Sequence, residues 1–189
     1  MVAIFLMSCS KNDDAVNPMN SPTSDASSKT LSAAEQSDLI FMAEKAKLMK
    51  NIYQVMFDTY QDEMFACISA CKEKHLALLT VRIDRYDIEN PLAYLGEDEY
   101  SDASLQQIYD EFIAERPTNL VESMMYLKAV EEQNIADIEN SVAQVKGNSD
   151  IVTVYNLCLV ESQAHLSEIL GFTKGLKDIM KPFDPIRET

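Results

Sequence analysis

Only two histidines occur among the 189 residues, and each stands three positions after a residue that could share its side of a helix: Lys72-x-x-His75 and Ser162-x-x-His165. Residues three apart lie on one helix face, so each pair would aim two side chains at one point. With glutamates at 72 and 162, both pairs would read Glu-x-x-His. Two helices of a bundle use that motif to hold a pair of iron or manganese ions, while the other two helices add one Glu each. Here the positions for those last two are Ala46 and Glu131. Three of six ligand positions, His75, Glu131 and His165, therefore keep a suitable donor.

Two such ions bring about four positive charges, and hard cations favour oxygen ligands. One carboxylate and two imidazoles are too few, and Lys72 adds a further positive charge. The expected arrangement is that the Lys72 ammonium takes the metal's place and pairs with Glu131. A central polar cluster then comprises Lys72, His75, Glu131, Asn134, Ser162 and His165, with no cofactor. The alternative keeps a metal (iron, manganese or zinc), mononuclear through His75, Glu131 and His165, di-metal with nearby Glu, or held by shifted ligands, with an oxidoreductase or metal-storage type of activity. Glu44, Glu73, Glu132 and Glu161 lie one or two positions off the inward stripes, and a small rotation of the last helix would bring Glu161 beside His165. The plainer reading of Glu44, Glu73 and Glu132 is a solvated helix face, and of each histidine a hydrogen-bonded core residue.

The elements that must position these residues are helices. Apolar or small residues recur at Leu39, Met42, Ala46, Met49, Tyr53 and Met56, at steps of three and four. Ser32 with Glu35 has the spacing of a capping box, which starts a first helix running to about Tyr60. A second helix spans about 63–86, with Phe65, Ile68, Lys72, His75 and Leu79 inward. Asn90-Pro91 and Gly96 break the chain, and a shorter helix covers 104–115 before Pro117. A fourth runs over about 119–145, with Leu120, Met124, Leu127, Glu131 and Ile138 inward. The last, capped by Ser149 or Asp150, reaches about Lys177, with Ile151, Val154, Cys158, Ser162 (or Glu161), His165, Ile169 and Phe172 inward. Four glycines and six prolines are few enough for helices of this length. The expected fold is all-α, a four-helix bundle with an additional short helix in the connection between its halves, over residues 31–180. Tyr53 and Tyr155 fall near its centre, as packing or as hydrogen-bonding partners.

Several segments together resemble a known family. These are Glu44 to Leu48 followed by Asn51-Ile52-Tyr53, the stretch Lys72 to Leu76, Leu105-Gln106-Gln107-Ile108-Tyr109-Asp110, Glu131 to Ile138, and Ser162 to Leu166. Their order and content are similar to an uncharacterised ferritin-like family of bacteria and archaea, a domain of unknown function. The resemblance implies a ferritin-like bundle and no assigned reaction. It also implies glutamates at positions 46 and 72 and an aspartate at 134, where this chain has Ala46, Lys72 and Asn134. All three departures remove negative charge from the centre. A non-catalytic binding or structural role is expected.

Residues 1–9, MVAIFLMSC, resemble the end of a bacterial lipoprotein signal peptide, with Leu6-Met7-Ser8-Cys9 as lipobox. No Lys or Arg precedes the apolar run, so the true translation start would lie upstream. Cys9 would carry acyl chains and anchor the protein without a spanning helix. Residues 10–30, rich in Ser, Asn, Pro and Thr, read as a disordered tether. The patch Ser10-Lys11-Asn12-Asp13-Asp14 resembles a surface-export signal of Bacteroidetes lipoproteins. The implied address is the cell envelope, at the outer membrane and on its surface. Residues 181–189 read as a tail.

The formal net charge of −15 argues against nucleic acid or an anionic lipid surface as partner. A protein partner or a second copy stays open. Cys67, Cys71 and Cys158 show no C-x-x-C spacing and read as small core residues, with metal ligation as the alternative. No phosphate-binding glycine loop and no nucleophile-elbow motif occurs.

Overall fold

A computed structural model describes residues 30–179, and the signal, tether and tail expectations, Cys9 included, lie outside them. Among the described residues the chain is all-α, with five helices and no strand: α1 Ala33–Tyr60, α2 Glu63–Arg85, α3 Ala103–Ala114, α4 Leu120–Gln144 and α5 Ser149–Ile179. None of these helices is long and apolar enough to cross a membrane.

Local chemistry sets the helix ends. The Ser32 hydroxyl accepts from the Glu35 N–H at 3.3 Å, and Glu35 accepts the Ser32 N–H at 2.9 Å, which completes the capping box. Glu35 also accepts the Lys146 N–H at 2.9 Å. That bond, more than the Ser32 bonds, holds its carboxyl down at about 2, and it ties the start of α1 to the α4–α5 link. Gln61 closes α1 in the left-handed region at φ 54°, and Asp62 at once caps α2 through the Met64 N–H. Two residues therefore turn the chain into a hairpin. Asp102 caps α3 and Asn119 caps α4. The last helix differs from expectation: it begins at Ser149, so Ser149 and Asp150 lie within its first turn. Asp150 accepts the Tyr86 hydroxyl at 2.7 Å and pairs with Arg85 at 3.2 Å.

The long helices associate chiefly as α1 with α2 and α4 with α5, and the pairs meet through α1–α4 and α2–α5. Every inward position named from the periodicity of α1 is buried, as are Phe65, Ile68, Lys72, His75 and Leu79 of α2. The core falls into two apolar layers. One gathers Ile52, Met56, Phe65, Leu105, Phe112, Met124, Leu127 and Ile169. The other gathers Leu39, Met42, Ala46, Leu79, Ile83, Ile138, Ile151, Val154, Tyr155 and Cys158. In sequence, the central polar residues of α2, α4 and α5 fall between the two sets.

Residues 42–49 of α1 are buried on every side, because the connection before α3 lies across its back. Lys47 Nζ donates to the carbonyls of Gly96 at 2.5 Å and Glu99 at 2.9 Å, and Asn51 donates to the Glu97 carbonyl at 2.8 Å. Glu44 accepts the Ser101 hydroxyl and the Asp102 N–H, the latter at 3.0 Å. Glu44 is fully buried, which corrects its reading as a solvated residue: its charge is satisfied by the loop it anchors. Glu73 and Glu132 do face solvent.

Candidate functional site

Between the apolar layers α2, α4, α5 and α1 each contribute to one closed network. Lys72 of α2 is 1% exposed and Glu131 of α4 is 0% exposed. Lys72 Nζ lies 3.0 Å from Glu131 Oε1 and 3.1 Å from Oε2, so the ammonium straddles the carboxylate. It also donates to Ser162 Oγ of α5 at 2.9 Å. Tyr53 of α1 donates its hydroxyl to Glu131 Oε1 at 2.9 Å. Asn134 Nδ2 reaches Ser162 Oγ at 3.0 Å and Glu131 Oε2 at 3.3 Å. Burial and the Glu131 charge keep the Tyr53 phenol well above its usual range, so it remains a donor. A buried charge must be paired and its remaining lone pairs bonded. Glu131 meets that condition with one cation and two neutral donors.

The pair of metal ions that a Glu-x-x-His bundle site would hold does not fit these residues. Ala46 and Ser162 offer no carboxylate, and the Lys72 ammonium stands against both oxygens of the remaining one. A dication there would meet a fixed positive charge at hydrogen-bond range of its own ligand.

The histidines divide. His165 Nδ1 is 3.8 Å from Glu131 Oε1 and has no hydrogen-bond partner among the described residues. Burial, then the charge of Lys72, pushes its pKa down to about 3, so the ring is neutral. His75 instead bonds across the α2–α5 seam. Its Nε2 lies 2.5 Å from Glu161 Oε2. The Cys71 thiol donates to the same oxygen at 3.3 Å, and Cys71 Sγ is 3.6 Å from His75 Nε2. The hydrogen bond from His75 is the main cause holding the Glu161 carboxyl below its usual range. Burial, then the Glu161 charge, pushes the Cys71 thiol up to about 12, so in this state it is no nucleophile.

The donors that converge on one point are thus Cys71, His75 and Glu161, not His75, Glu131 and His165. Glu161 hydrogen-bonds His75 on the facing helix and acts on His165 of its own helix only through its charge. Cys71 is half-buried in a polar contact, which corrects its reading as a small core residue, while Cys158 is buried in the core. Sequence reasoning missed Cys71 as a partner of His75, although a signal was present. Cys71 and His75 are four apart on α2, as are Glu161 and His165 on α5, and residues at that spacing share a helix face.

A surface groove of about 530 Å³, lined by Lys50, Asn51, Glu73, Glu97 and Tyr109 among others, lies between α1, α2 and the connection. Neither Lys72 nor Glu131 lines it, and neither do Cys71, His75 and Glu161.

Against known proteins, the chain is similar to the uncharacterized protein MJ0754 of Methanocaldococcus jannaschii, 22% identical over 136 residues, 72% of this chain and 73% of that protein. Among solved structures, the crystal structure of hypothetical protein MJ0754 superposes with a TM-score of 0.75 at 20% identity, over 82% of this chain and 87% of that one. That likeness speaks for the fold alone. A family model described as "Uncharacterized protein domain (DUF2202)" matches residues 35–187. With most of its length inside that match, the chain belongs to the DUF2202 family.

Proposed function

We propose that this protein is a lipid-anchored envelope protein whose ferritin-like four-helix bundle has exchanged a di-metal centre for an internal cation and serves a binding or structural role. The observation that carries the reading is Lys72 Nζ at 3.0 and 3.1 Å from the two oxygens of Glu131, with both side chains sealed from solvent. Iron or manganese carboxylate sites need several anionic oxygens to neutralise the ions. The Lys72–Glu131 pair is neutral without them, the neighbouring buried Lys45 is itself paired with Asp137, and Tyr53, Ser162 and Asn134 complete the hydrogen bonding. Replacement of acidic residues at 46, 72 and 134, implied by the family resemblance, is coherent on this view: each substitution removes a charge that only a metal would have required.

The test is anaerobic loading of the full chain with ferrous iron and, separately, manganese, followed by desalting and metal analysis. The expected result is no paired metal centre. Two tightly held equivalents per chain, lost on Glu131→Gln, would overturn the reading. For the anchor, Cys9→Ala should move the protein from the membrane to the soluble fraction, and a variant that stays with the membrane would end that part of the proposal.

A further inference from the structure

We propose that Cys71, His75 and Glu161 form a mononuclear site for a divalent transition metal of the zinc class, set in the α2–α5 seam one residue off the sealed centre. The proposal goes beyond the reading above, which concerns only the centre.

The donor set is the first argument. A thiolate, an imidazole and a carboxylate together suit zinc or cobalt and are a poor match for magnesium or calcium, which prefer all-oxygen shells. The three donors come from two facing helices, and their ligand atoms all lie within 4.8 Å of one another.

The second argument is metric. With the usual zinc bond lengths and a tetrahedral angle, sulfur should lie about 3.6 Å from nitrogen and about 3.6 Å from oxygen, and nitrogen about 3.4 Å from oxygen. Here Cys71 Sγ is 3.6 Å from His75 Nε2 and 3.3 Å from Glu161 Oε2. The first edge already matches, and the second is short by about 0.3 Å. The third, His75 Nε2 to Glu161 Oε2, is 2.5 Å, closed by a hydrogen bond. Opening it by about 0.9 Å replaces the bridging proton with the ion. Glu161 can supply that movement, because its side chain is 40% exposed, whereas that of His75 is 3% exposed and fixed.

The third argument is position. The half-exposed Glu161 gives an ion a way in from solvent, and three protein ligands leave a fourth place for water or a small ligand. Binding expels the thiol proton of Cys71, and the His75 ring then carries its N–H on Nδ1 with Nε2 free to ligate. No electron transfer is involved.

The experiment uses the full chain, kept reduced with a phosphine and stripped of metal, titrated with Co²⁺ as a spectroscopic probe and then with Zn²⁺ in competition. One equivalent of Co²⁺ should bind with a near-ultraviolet thiolate-to-cobalt charge-transfer band, and Zn²⁺ should displace it. Cys71→Ser should abolish the band, and Glu161→Gln should weaken Zn²⁺ binding by more than about tenfold. Both positions are only partly buried, so the variants should keep the fold, which circular dichroism checks. Failure to bind one equivalent, binding without the band, or a band that survives Cys71→Ser would overturn the site. A further equivalent that disappears with Glu131→Gln would overturn the Lys72 reading and leave this one standing.

Discussion

Cys71 and Lys72 are neighbours on α2, and Glu161 and Ser162 are neighbours on α5, yet the two pairs belong to different electrostatic regions. A single step along an α-helix turns the side chain by about 100°. At 72 and 162 that turn points into the core, where Lys72 and Ser162 are sealed. At 71 and 161 it points to a seam, where Glu161 keeps 40% of its side-chain exposure. The sealed region must keep its charges paired, because any unpaired charge there costs several kcal/mol. The seam is under no such demand, since water can share the load. On the two proposals above, a metal that the centre does not hold would sit one residue away.

The strongest way to break this contrast is to remove the cation. Lys72→Met should destabilise the fold by about 3–5 kcal/mol, because Glu131 would be left charged and without its counter-ion. Adding Glu131→Gln should recover at least half of that loss, as Gln can still accept from Tyr53. Urea unfolding of the two singles and the double, as a cycle, measures both quantities. A Lys72→Met cost below about 1 kcal/mol would mean that the centre does not depend on the ion pair.

How far the sequence carried this picture depends on the kind of signal. Helix positions were legible because periodicity and caps are local: Ser32 with Glu35 marks the start of α1, and Leu39 to Met56 trace its inward face. Lys72, His75, Glu131, Ser162 and His165 were legible as interruptions in those stripes, and Asn134 only through the family resemblance. Two things were not. Glu44 looked like a surface residue, because nothing in its own helix shows that residues 96–102 fold over it. Cys71 looked like core filler, because its relation to Glu161 spans 90 positions and is set by the rotation of α5 against α2. Helix phase is local, whereas the rotation between helices is decided by packing.

A pH series sharpens the boundary between the regions. His165 lies on it, flanked by Lys72 and His75 of α2, Glu131 of α4 and Glu161 of its own helix. Its pKa falls from 6.5 to about 3 on folding. Below pH 6.5 the unfolded chain takes up a proton that the folded chain refuses. Stability from this group is therefore complete above 6.5 and is lost as pH falls towards 3. The slope should approach 1.4 kcal/mol per pH unit, or about 2 kcal/mol between pH 6.5 and 5. His165→Gln, measured metal-free with a chelator, should flatten the curve by about that amount. An unchanged slope would place the proton uptake elsewhere.

Within the centre, Tyr53→Phe removes one hydrogen bond to a charged acceptor and leaves the ring packing intact. A loss of about 2 kcal/mol is expected. A neutral result would show that Lys72 and Asn134 alone satisfy Glu131.

The smallest effect belongs to the seam. In metal-free protein Cys71→Ala should change stability by less than about 1 kcal/mol. The thiol is a weak donor, and the Glu161 oxygen it leaves keeps its bond to His75 at 2.5 Å and its access to water. Set beside Lys72→Met, this puts two adjacent residues of one helix several kcal/mol apart, and the gap measures the difference between the regions directly. In the presence of Zn²⁺ the same Cys71→Ala substitution should cost more, because a ligand that binds only the folded chain adds to its stability in proportion to occupancy. Thermal unfolding with and without Zn²⁺, on wild type and Cys71→Ala, reads that difference. Equal shifts in both proteins would mean that the ion does not sit on Cys71.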